Sequence, residues 1–182
     1  MASVITSNST IVEPLTGGCY CGTITYTMKA SPIFVNCCHC RNCQQLSGSA
    51  FALNIMIEAS NVEITSTSRP KSTTEDERPA AQKNEQPKSG GGVRCPNPKC
   101  GSLLWGTHPF FSDKIIFLRA GTLKESDRIV PDAHFFIRSK HPWIVIPEGV
   151  RQFETLGGKN DPPLWSLEGK KRVHQVMTDN QA

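Results

Sequence analysis

The sequence predicts a mostly β protein built from short strands. Short runs of β-branched and aromatic residues recur along the chain, and turn formers such as Gly, Pro, Asn and Asp separate them. No stretch keeps a helical period of apolar residues over about three to four turns. The third observation is the presence of eight cysteines, several in closely spaced groups. Such groups are typical of metal sites, which we expect to hold the strands together.

Length and charge limit the class of protein. The 182 residues are enough for one domain with a hydrophobic core, and the net charge of +4 is mild and scattered. The mild, scattered charge argues against nucleic acid as a partner. The chain has neither an apolar run of about 18 residues nor a secretory signal at its start. We therefore expect a cytoplasmic protein without a membrane partner. In a reducing compartment its cysteines stay thiols, although a secreted chain would allow disulfides.

Composition divides the chain into four segments. Residues 1–14 are polar and predict a flexible leader, and 15–156 predict a single zinc-binding domain. Within that domain, residues 66–92 are rich in Pro, Lys, Glu, Ser and Gly and predict a long polar loop, because they have too little apolar surface to offset the entropy of ordering. Residues 157–182 predict a C-terminal tail.

The strands before the loop follow from alternation and from β-branched runs. Residues 23–28 place Ile24, Tyr26 and Met28 on one face, which predicts a half-buried strand. Residues 33–35 predict a short strand that leads into the cysteines, and 44–47 predict one helical stretch that ends at Gly48. Further strands are predicted at 51–57 and 62–65.

The strands after the loop are predicted in the same way. They are expected at 103–105, 114–120 and 134–138, where Gly, Pro and Asp turns separate them. The basic run Lys170-Lys171-Arg172 is too short for a nucleic-acid patch and is interpreted as solvated surface.

The densest cysteine group predicts an open metal site. Cys38, Cys40 and Cys43 form a C-x-C-x-x-C pattern, in which one short turn can bring three sulfur atoms within roughly 2.3 Å of a Zn²⁺ ion. Three protein ligands leave one tetrahedral position for a substrate. A closed site, with Cys37 or His39 as the fourth ligand, is the alternative.

A second group predicts a structural zinc site. Cys19 and Cys21 pair naturally with Cys95 and Cys100, which would give a closed four-thiolate site between two distant parts of the chain. The eight cysteines then divide into four structural ligands, three catalytic ligands and Cys37, to which no role is assigned. We expect two Zn²⁺ ions per chain, because thiolates favour zinc over magnesium or calcium.

An open three-thiolate zinc suits the chemistry of a small thiol. A substrate thiol entering the fourth position would ionise and could then add to an aldehyde. A nearby acid or base is still needed for the hydroxyl proton, and His39 and His134 are the candidates. The alternative for His39 is a side chain that faces solvent, and the alternative for His134 is a structural role.

Four motifs together resemble the glutathione-dependent formaldehyde-activating enzyme family, also called the centromere protein V-like family. They are Gly18-Cys19-x-Cys21-Gly22, the run from Cys38 to Cys43 followed by Ser47-Gly48-Ser49-Ala50-Phe51, Cys95 to Ser102, and His134 through Lys140-x-Pro142-Trp143. The resemblance implies a β-tent of small antiparallel sheets around two zinc sites. It also implies that Cys19, Cys21, Cys95 and Cys100 are structural ligands and that Cys38, Cys40 and Cys43 are catalytic ligands.

The sequence departs from this family pattern at three places. The second knuckle is C-x4-C where the family usually has C-x-x-C, and residues 66–92 replace a short segment that usually carries a Gly, an aromatic residue and an Arg. Gln44-Gln45 follows the cysteines where basic residues are common. The loop replacement leaves open whether the substrate is glutathione.

Two function classes follow. The first is a zinc-dependent carbon–sulfur lyase, similar to S-(hydroxymethyl)glutathione synthase, that forms or cleaves an adduct between a small thiol and an aldehyde. The second is a non-catalytic zinc module that binds protein or nucleic acid. Arg41 is either a ligand for a substrate carboxylate or a solvated side chain. Lys140 is expected to lie against Trp143 in a packed edge.

Overall fold

The computed structural model describes residues 11, 13–73, 91–157 and 164–178, and in them the chain is mostly β. The strands are β1 Leu15–Gly18, β2 Thr25–Met28, β3 Phe34–Cys38, β4 Ala52–Glu58, β5 Val62–Ile64, β6 Lys71–Ser72, β7 Gly92–Arg94, β8 Leu103–His108, β9 Ser112–Arg119, β10 Ala133–Phe135 and β11 Arg151–Phe153. Strands β1, β2 and β5 form a small antiparallel sheet in the order β1-β2-β5. The other eight strands form one large sheet in the order β11-β10-β3-β4-β9-β8-β7-β6.

The large sheet is mixed, and its parallel part lies beside the cysteines. β10 runs parallel to both β3 and β11, whereas the pairs from β3 through β4, β9, β8 and β7 to β6 are antiparallel. The register aligns His134 with Cys37 and Phe135 with Cys38. Strand β3 is therefore central, and the residues at its carboxyl end are held between two neighbours.

The two faces of this sheet bury different cores. Cross-strand partners share a face, so Cys37 lies on the face of Ile55 and Leu118, while Cys38 lies on the opposite face with Ala52. The first face packs against the small sheet. The second face packs an aromatic cluster that includes Phe34, Phe111, Phe135 and Phe153.

Two α-helices are present in the described residues. α1 (Arg41–Ser47) ends at Gly48, whose φ of 60° is the left-handed conformation that glycine favours, so the predicted stop at Gly48 is confirmed. α2 (Leu167–Thr178) is twelve residues long and was not predicted, because the sequence shows no sustained helical period of apolar residues there. Its apolar residues are few, and it docks through Val173, Val176 and Met177.

The docking of α2 also corrects the interpretation of one residue of the basic run, Arg172. Arg172 donates from Nε to Glu58 Oε1 at 2.7 Å and from Nη2 to Glu58 Oε2 at 2.5 Å, and Nη1 donates to the Ser31 carbonyl at 3.0 Å. The Glu58 side chain is only 7% exposed. Arg172, whose side chain is 19% exposed, is therefore an ion-pair partner and not solvated surface, whereas Lys170 and Lys171 are exposed as the sequence predicted. The segment predicted as a tail contains a packed helix.

The predicted strands are confirmed with shifted ends. The strand expected at 134–138 stops at Phe135, because Phe136 takes a left-handed φ of 57° and a 3₁₀ turn, Ile137–Ser139, follows. β1 and β11 were not predicted. In the predicted leader, Ile11 is buried in the core, and most of the rest lies outside the described residues. β6 lies inside the predicted loop 66–92 and pairs with β7, which begins at the last residue of that loop. Neither of these strands was predicted, and residues 74–90 lie outside the described residues.

None of the helices in the described part of the chain has the length and apolar character that crossing a membrane requires.

Candidate metal centres and active site

The four-cysteine group consists of Cys19, Cys21, Cys95 and Cys100, and the structure brings all four sulfur atoms within 4.8 Å of one another. The Cys19 and Cys21 sulfur atoms are 3.6 Å apart, and those of Cys21 and Cys95 are 3.8 Å apart. Four converging sulfur atoms form a donor set that suits a soft, tetrahedral metal ion. The C-x4-C spacing thus still permits the predicted grouping.

Each pair of cysteines in this group lies in a tight backbone turn. Gly22 N–H donates to the Cys19 carbonyl at 3.0 Å, and Gly101 N–H donates to the Asn97 carbonyl at 3.0 Å. Both glycines have left-handed φ angles, 78° for Gly22 and 60° for Gly101, which other residues adopt only with strain. These backbone turns by themselves bring the sulfur atoms of the group together.

Glycines before Cys19 serve a different purpose. A Cβ atom on Gly17 would lie 2.4 Å from the Tyr26 ring, and one on Gly18 would lie 2.4 Å from the Ile24 carbonyl oxygen. Neither Gly17 nor Gly18 has a positive φ. Close packing of β1 on β2, rather than an unusual backbone angle, is therefore what requires glycine at these two positions.

Hydrogen bonds and burial act in opposite directions on the thiols of the four-cysteine group. The Ile24 N–H donates to Cys19 Sγ at 3.2 Å. The Ser102 hydroxyl, 3.1 Å from Cys100 Sγ, is the main cause that lowers the pKa of Cys100, whereas burial raises the pKa of Cys95 to about 12. A hydrogen bond with the Thr23 hydroxyl at 3.1 Å is the main cause that lowers the pKa of Cys21 to about 6. Deprotonated sulfur is the form that binds a metal ion, so these residues can hold one.

The three-cysteine group consists of Cys38, Cys40 and Cys43, whose sulfur atoms also lie within 4.8 Å of one another. Cys38 ends β3, Cys40 is the N-cap of α1, and Cys43 lies in the first turn of that helix. Cys40 Sγ accepts a hydrogen bond from the Cys43 N–H at 3.4 Å. Among the described residues, no fourth Cys, His or carboxylate joins this group.

Protons in the three-cysteine group are shared unequally. Hydrogen bonds with Cys38 and Cys43 lower the pKa of Cys40, and the corresponding bonds, together with burial, raise the pKa of Cys38. For Cys43, the hydrogen bond with Cys38 lowers the pKa, and the positive charge of Arg119 acts in the same direction. The hydrogen bond with Cys40 and burial outweigh both, so the pKa of Cys43 is raised. The arrangement stabilises a thiolate at Cys40 first.

The two predicted histidines lie together on the other face of β3, beside Cys37. His39 Nε2 is 2.9 Å from His134 Nδ1 and 3.6 Å from Cys37 Sγ. The ring planes differ by 18° and the ring centres are 5.2 Å apart, so the two nitrogen atoms face each other along the line between the rings. This is the geometry of an in-plane hydrogen bond, and it does not direct both nitrogen lone pairs at a common metal ion.

The histidine pair, His39 and His134, is buried and neutral. The alternative that His39 faces solvent was wrong, because its exposed fraction is 0%. Burial, followed by the charge of His134, lowers the pKa of His39 to about 4, and burial also lowers the pKa of His134. His39 Nδ1 has no hydrogen-bond partner. Burying an unpaired lone pair costs less free energy than burying an unpaired N–H, so His39 Nδ1 is expected to carry no proton. The proton then lies on His39 Nε2, which donates to His134.

Helix α1 is clamped to the loop after β10 by a residue to which the sequence analysis gave no role. Gln44, which is buried, donates from Nε2 to the His39 carbonyl at 2.7 Å and to the Ser139 carbonyl at 3.0 Å. Arg41 donates to Gln44 Oε1 at 2.9 Å and is otherwise exposed. Gln44 therefore fixes the helix that carries Cys43, and Arg41 supports Gln44.

The expected packing of Lys140 on Trp143 was wrong. Lys140 Nζ donates to the Ile144 carbonyl at 2.6 Å, and Trp143 is 70% exposed with only the His141 ring stacked near it at 5.9 Å between centres. Val145 is 86% exposed, so this segment is not a packed edge. Lys140 instead places its charge near the histidine pair, where it contributes to the lowered pKa values.

Arg119 is the functional candidate that the sequence analysis missed. It ends β9 and lines a cavity of about 430 Å³, and its positive charge acts to lower the pKa of Cys43. The available signal was a charged residue at the end of the apolar run Ile115-Ile116-Phe117-Leu118. Strand pairing was needed to locate it, because nothing in the sequence relates position 119 to Cys43.

Comparison with known families gives one match. The family model described as glutathione-dependent formaldehyde-activating enzyme matches residues 14–139, which is more than half of the chain and includes all eight cysteines. No curated protein matches the chain.

Proposed function

Because the chain belongs to the glutathione-dependent formaldehyde-activating enzyme family, we propose that it is a zinc-dependent carbon–sulfur lyase. It would form or cleave the adduct between a small thiol, such as glutathione, and an aldehyde, such as formaldehyde. The observation that supports this most is the three-cysteine group, which offers three converging sulfur ligands from the short run between Cys38 and Cys43. Three protein ligands are typical of catalytic zinc sites and four of structural ones.

Two Zn²⁺ ions per chain are part of the proposal. Cys19, Cys21, Cys95 and Cys100 would hold the structural ion, and Cys38, Cys40 and Cys43 would hold the catalytic one. Zinc at the second group would supply one chemical effect, the lowering of the pKa of an incoming thiol. Metal analysis of the purified chain is expected to give about two zinc ions, whereas a value near one, or substantial iron, would contradict this division.

The reaction has a simple atomic balance. One bond forms between the thiol sulfur and the carbonyl carbon, the carbon–oxygen double bond becomes single, and the thiol proton ends on the hydroxyl oxygen. Cleavage reverses these changes. The residues of this chain would therefore orient the thiol, stabilise negative sulfur and move one proton.

We assign the proton transfer to the histidine pair. Both imidazoles are neutral near pH 7, because burial lowers their pKa values, so each has a lone pair that can accept a proton, although burial also weakens them as bases. His39 follows Cys38 in the chain, but both rings lie beside Cys37 on the opposite face of β3, so the assignment requires the proton to reach them from the other side of the strand. His134→Gln is expected to lower kcat and to leave the zinc content unchanged. Unchanged turnover would mean that solvent supplies the proton.

The test of the function is turnover of the zinc-loaded chain measured against a blank. Thiols add to formaldehyde without a catalyst, so the rate of adduct formation and cleavage must be compared with that of the same mixture lacking protein. Turnover that disappears in Cys40→Ser would support the lyase. A chain that keeps both zinc ions and shows no turnover with glutathione or other small thiols would support the non-catalytic zinc module instead.

A further inference from the structure

A row of three polar residues crosses the sheet next to the three-cysteine group. Asn36 on β3, Asn54 on β4 and Arg119 on β9 are consecutive partners in the register, so their side chains share one face. Asn54 Nδ2 donates to Asn36 Oδ1 at 2.9 Å, and Arg119 Nη1 donates to Asn54 Oδ1. This polar row fixes the position of one arm of the guanidinium group.

The polar row lies on the same face as Cys38. On β3, Cys38 is two residues beyond Asn36, and its partner on β4 is Ala52. Ala52 lines the same cavity as Arg119. Through Ala52, the cavity borders the strand position paired with Cys38, although none of the three cysteines lines the cavity itself.

The cavity has the size and lining of a small-molecule site. Its volume of about 430 Å³ falls within the range typical of ligand pockets. Apolar walls come from Leu46, Phe51 and Leu103, and hydroxyl groups come from serines and a threonine. Of the described residues that line it, Arg119 is the only charged one. A bound molecule would therefore meet one fixed positive charge, several hydroxyl groups and an apolar wall.

Arg119 keeps donor capacity that the protein does not use. Its Nε is buried and has no hydrogen-bond partner, and no carboxylate among the described residues forms an ion pair with it. An arginine fork with free donors beside a cavity is suited to a planar carboxylate, which can accept two parallel hydrogen bonds.

We propose that Arg119 binds the carboxylate of an acidic thiol, so that the site selects thiols that carry a carboxylate over neutral ones. This rests on the proposed function, because the thiol end of the same molecule is taken to enter the three-cysteine group. In this proposal Arg119, and not Arg41 as the sequence analysis considered, contacts the substrate carboxylate. The polar row acts as the support that holds the guanidinium group in place.

The test compares two thiols of similar size on the zinc-loaded chain. Calorimetric titration with 3-mercaptopropionate is expected to give a Kd at least about tenfold lower than titration with 2-mercaptoethanol, because a charge-assisted pair is lost with the neutral thiol. Arg119→Gln is expected to abolish this ratio by weakening only the acidic thiol. Arg119→Lys, which keeps the charge but loses the fork, is expected to give an intermediate ratio.

Two controls make the result specific. Arg69→Gln makes the same change in net charge at an exposed arginine that donates to the Ile64 carbonyl, and it is expected to leave both Kd values unchanged. The melting temperature and the zinc content of each variant are also measured. If both match those of the parent chain, a loss of fold or metal is not the cause of the change in Kd.

Several outcomes would overturn the proposal. A ratio near one in the parent chain, or an unchanged ratio in Arg119→Gln, would reject acidic selection by Arg119 and leave the lyase function standing. Equal weakening of both thiols in Arg119→Gln would mean that Arg119 only balances the charge of the cysteines. A ratio abolished by Arg41→Gln instead would move the contact to Arg41. Failure of both thiols to bind the parent chain would reject the lyase function and, with it, this inference.

Discussion

The two cysteine groups are assembled at very different distances along the chain. In the four-cysteine group, Cys21 and Cys95 are 74 positions apart in sequence and their sulfur atoms lie 3.8 Å apart. The three-cysteine group is contained in the end of β3 and the first turn of α1. A metal ion in the first group would connect two distant segments, whereas one in the second would connect residues that are already neighbours. From this difference in sequence separation we propose that the four-cysteine group stabilises the fold and that the three-cysteine group takes part in catalysis.

The largest effect is expected from Cys21→Ser. Cys21 is exposed, so replacing sulfur by oxygen leaves no cavity and isolates the loss of a metal ligand. Structural zinc binding is itself folding free energy, so the variant is expected to be insoluble or to lose several kcal/mol, about 10 °C or more in Tm. Solubility, Tm and zinc content are the measurements. A variant that melts like the parent chain would contradict the structural role of this group.

Cys40→Ser is expected to abolish turnover and thiol binding while the fold survives. Serine is a favourable N-cap residue, so its hydroxyl can replace the sulfur that caps α1. The loss of one of three ligands is expected to remove the metal from this group only. Tm and thiol-dependent turnover should be measured together on Cys40→Ser, Cys21→Ser and the parent chain. Full activity, or unfolding as severe as in Cys21→Ser, would refute the catalytic role.

Glu58→Gln removes a long-range link that contains no metal ion. Loss of the buried partner of Arg172 is expected to cost about 3 kcal/mol in unfolding free energy and to leave thiol binding unchanged. Lys29→Gln, which breaks an exposed ion pair with Glu63 at 3.5 Å, is the control and should cost less than about 1 kcal/mol. Urea unfolding measures both, and weakened thiol binding in Glu58→Gln would show that α2 docking and the site are coupled.

The pH dependence of the Glu58 effect has a definite sign. Burial raises the pKa of Glu58, but the hydrogen bonds from Arg172 and other groups outweigh it, so the folded pKa lies below the usual value of 4.5. The carboxylate thus stabilises the fold above pH 4.5 and ceases to do so as the pH falls through the lower folded value. The difference in stability between the parent chain and Glu58→Gln should therefore shrink in acid.

The smallest effect is expected from Cys37→Ser. Cys37 is 2% exposed, and burial raises its pKa to about 12, so it is a protonated thiol that contacts the histidine pair. A buried hydroxyl in its place is expected to cost about 1 kcal/mol, with zinc content and thiol binding unchanged. Loss of one zinc ion from this variant would instead mean that Cys37 is a ligand, and the division into four and three would fail.

Sequence alone predicted the features that depend on local spacing. The mostly β class, most of the strands and the end of α1 at Gly48 follow from alternation and turn residues, which act within a few positions. Both cysteine groupings follow from spacing and from the small number of ways in which four and three sulfur atoms can converge. Helix α2 escaped prediction because its helical stability comes from docking, through Val173 and the Arg172–Glu58 pair, and not from a long apolar stripe.

Only the tertiary structure decided which residues surround the three-cysteine group. The strand register separates Cys37 from Cys38 onto opposite faces, because neighbouring residues in a strand point in opposite directions. It also brings His134 to Cys37, and Arg119 to Asn54, across sequence separations that carry no local signal. The sequence by itself therefore determined which cysteines form groups that could hold a metal ion, and strand pairing determined the charge, burial and cavity near them, since those depend on contacts between distant segments.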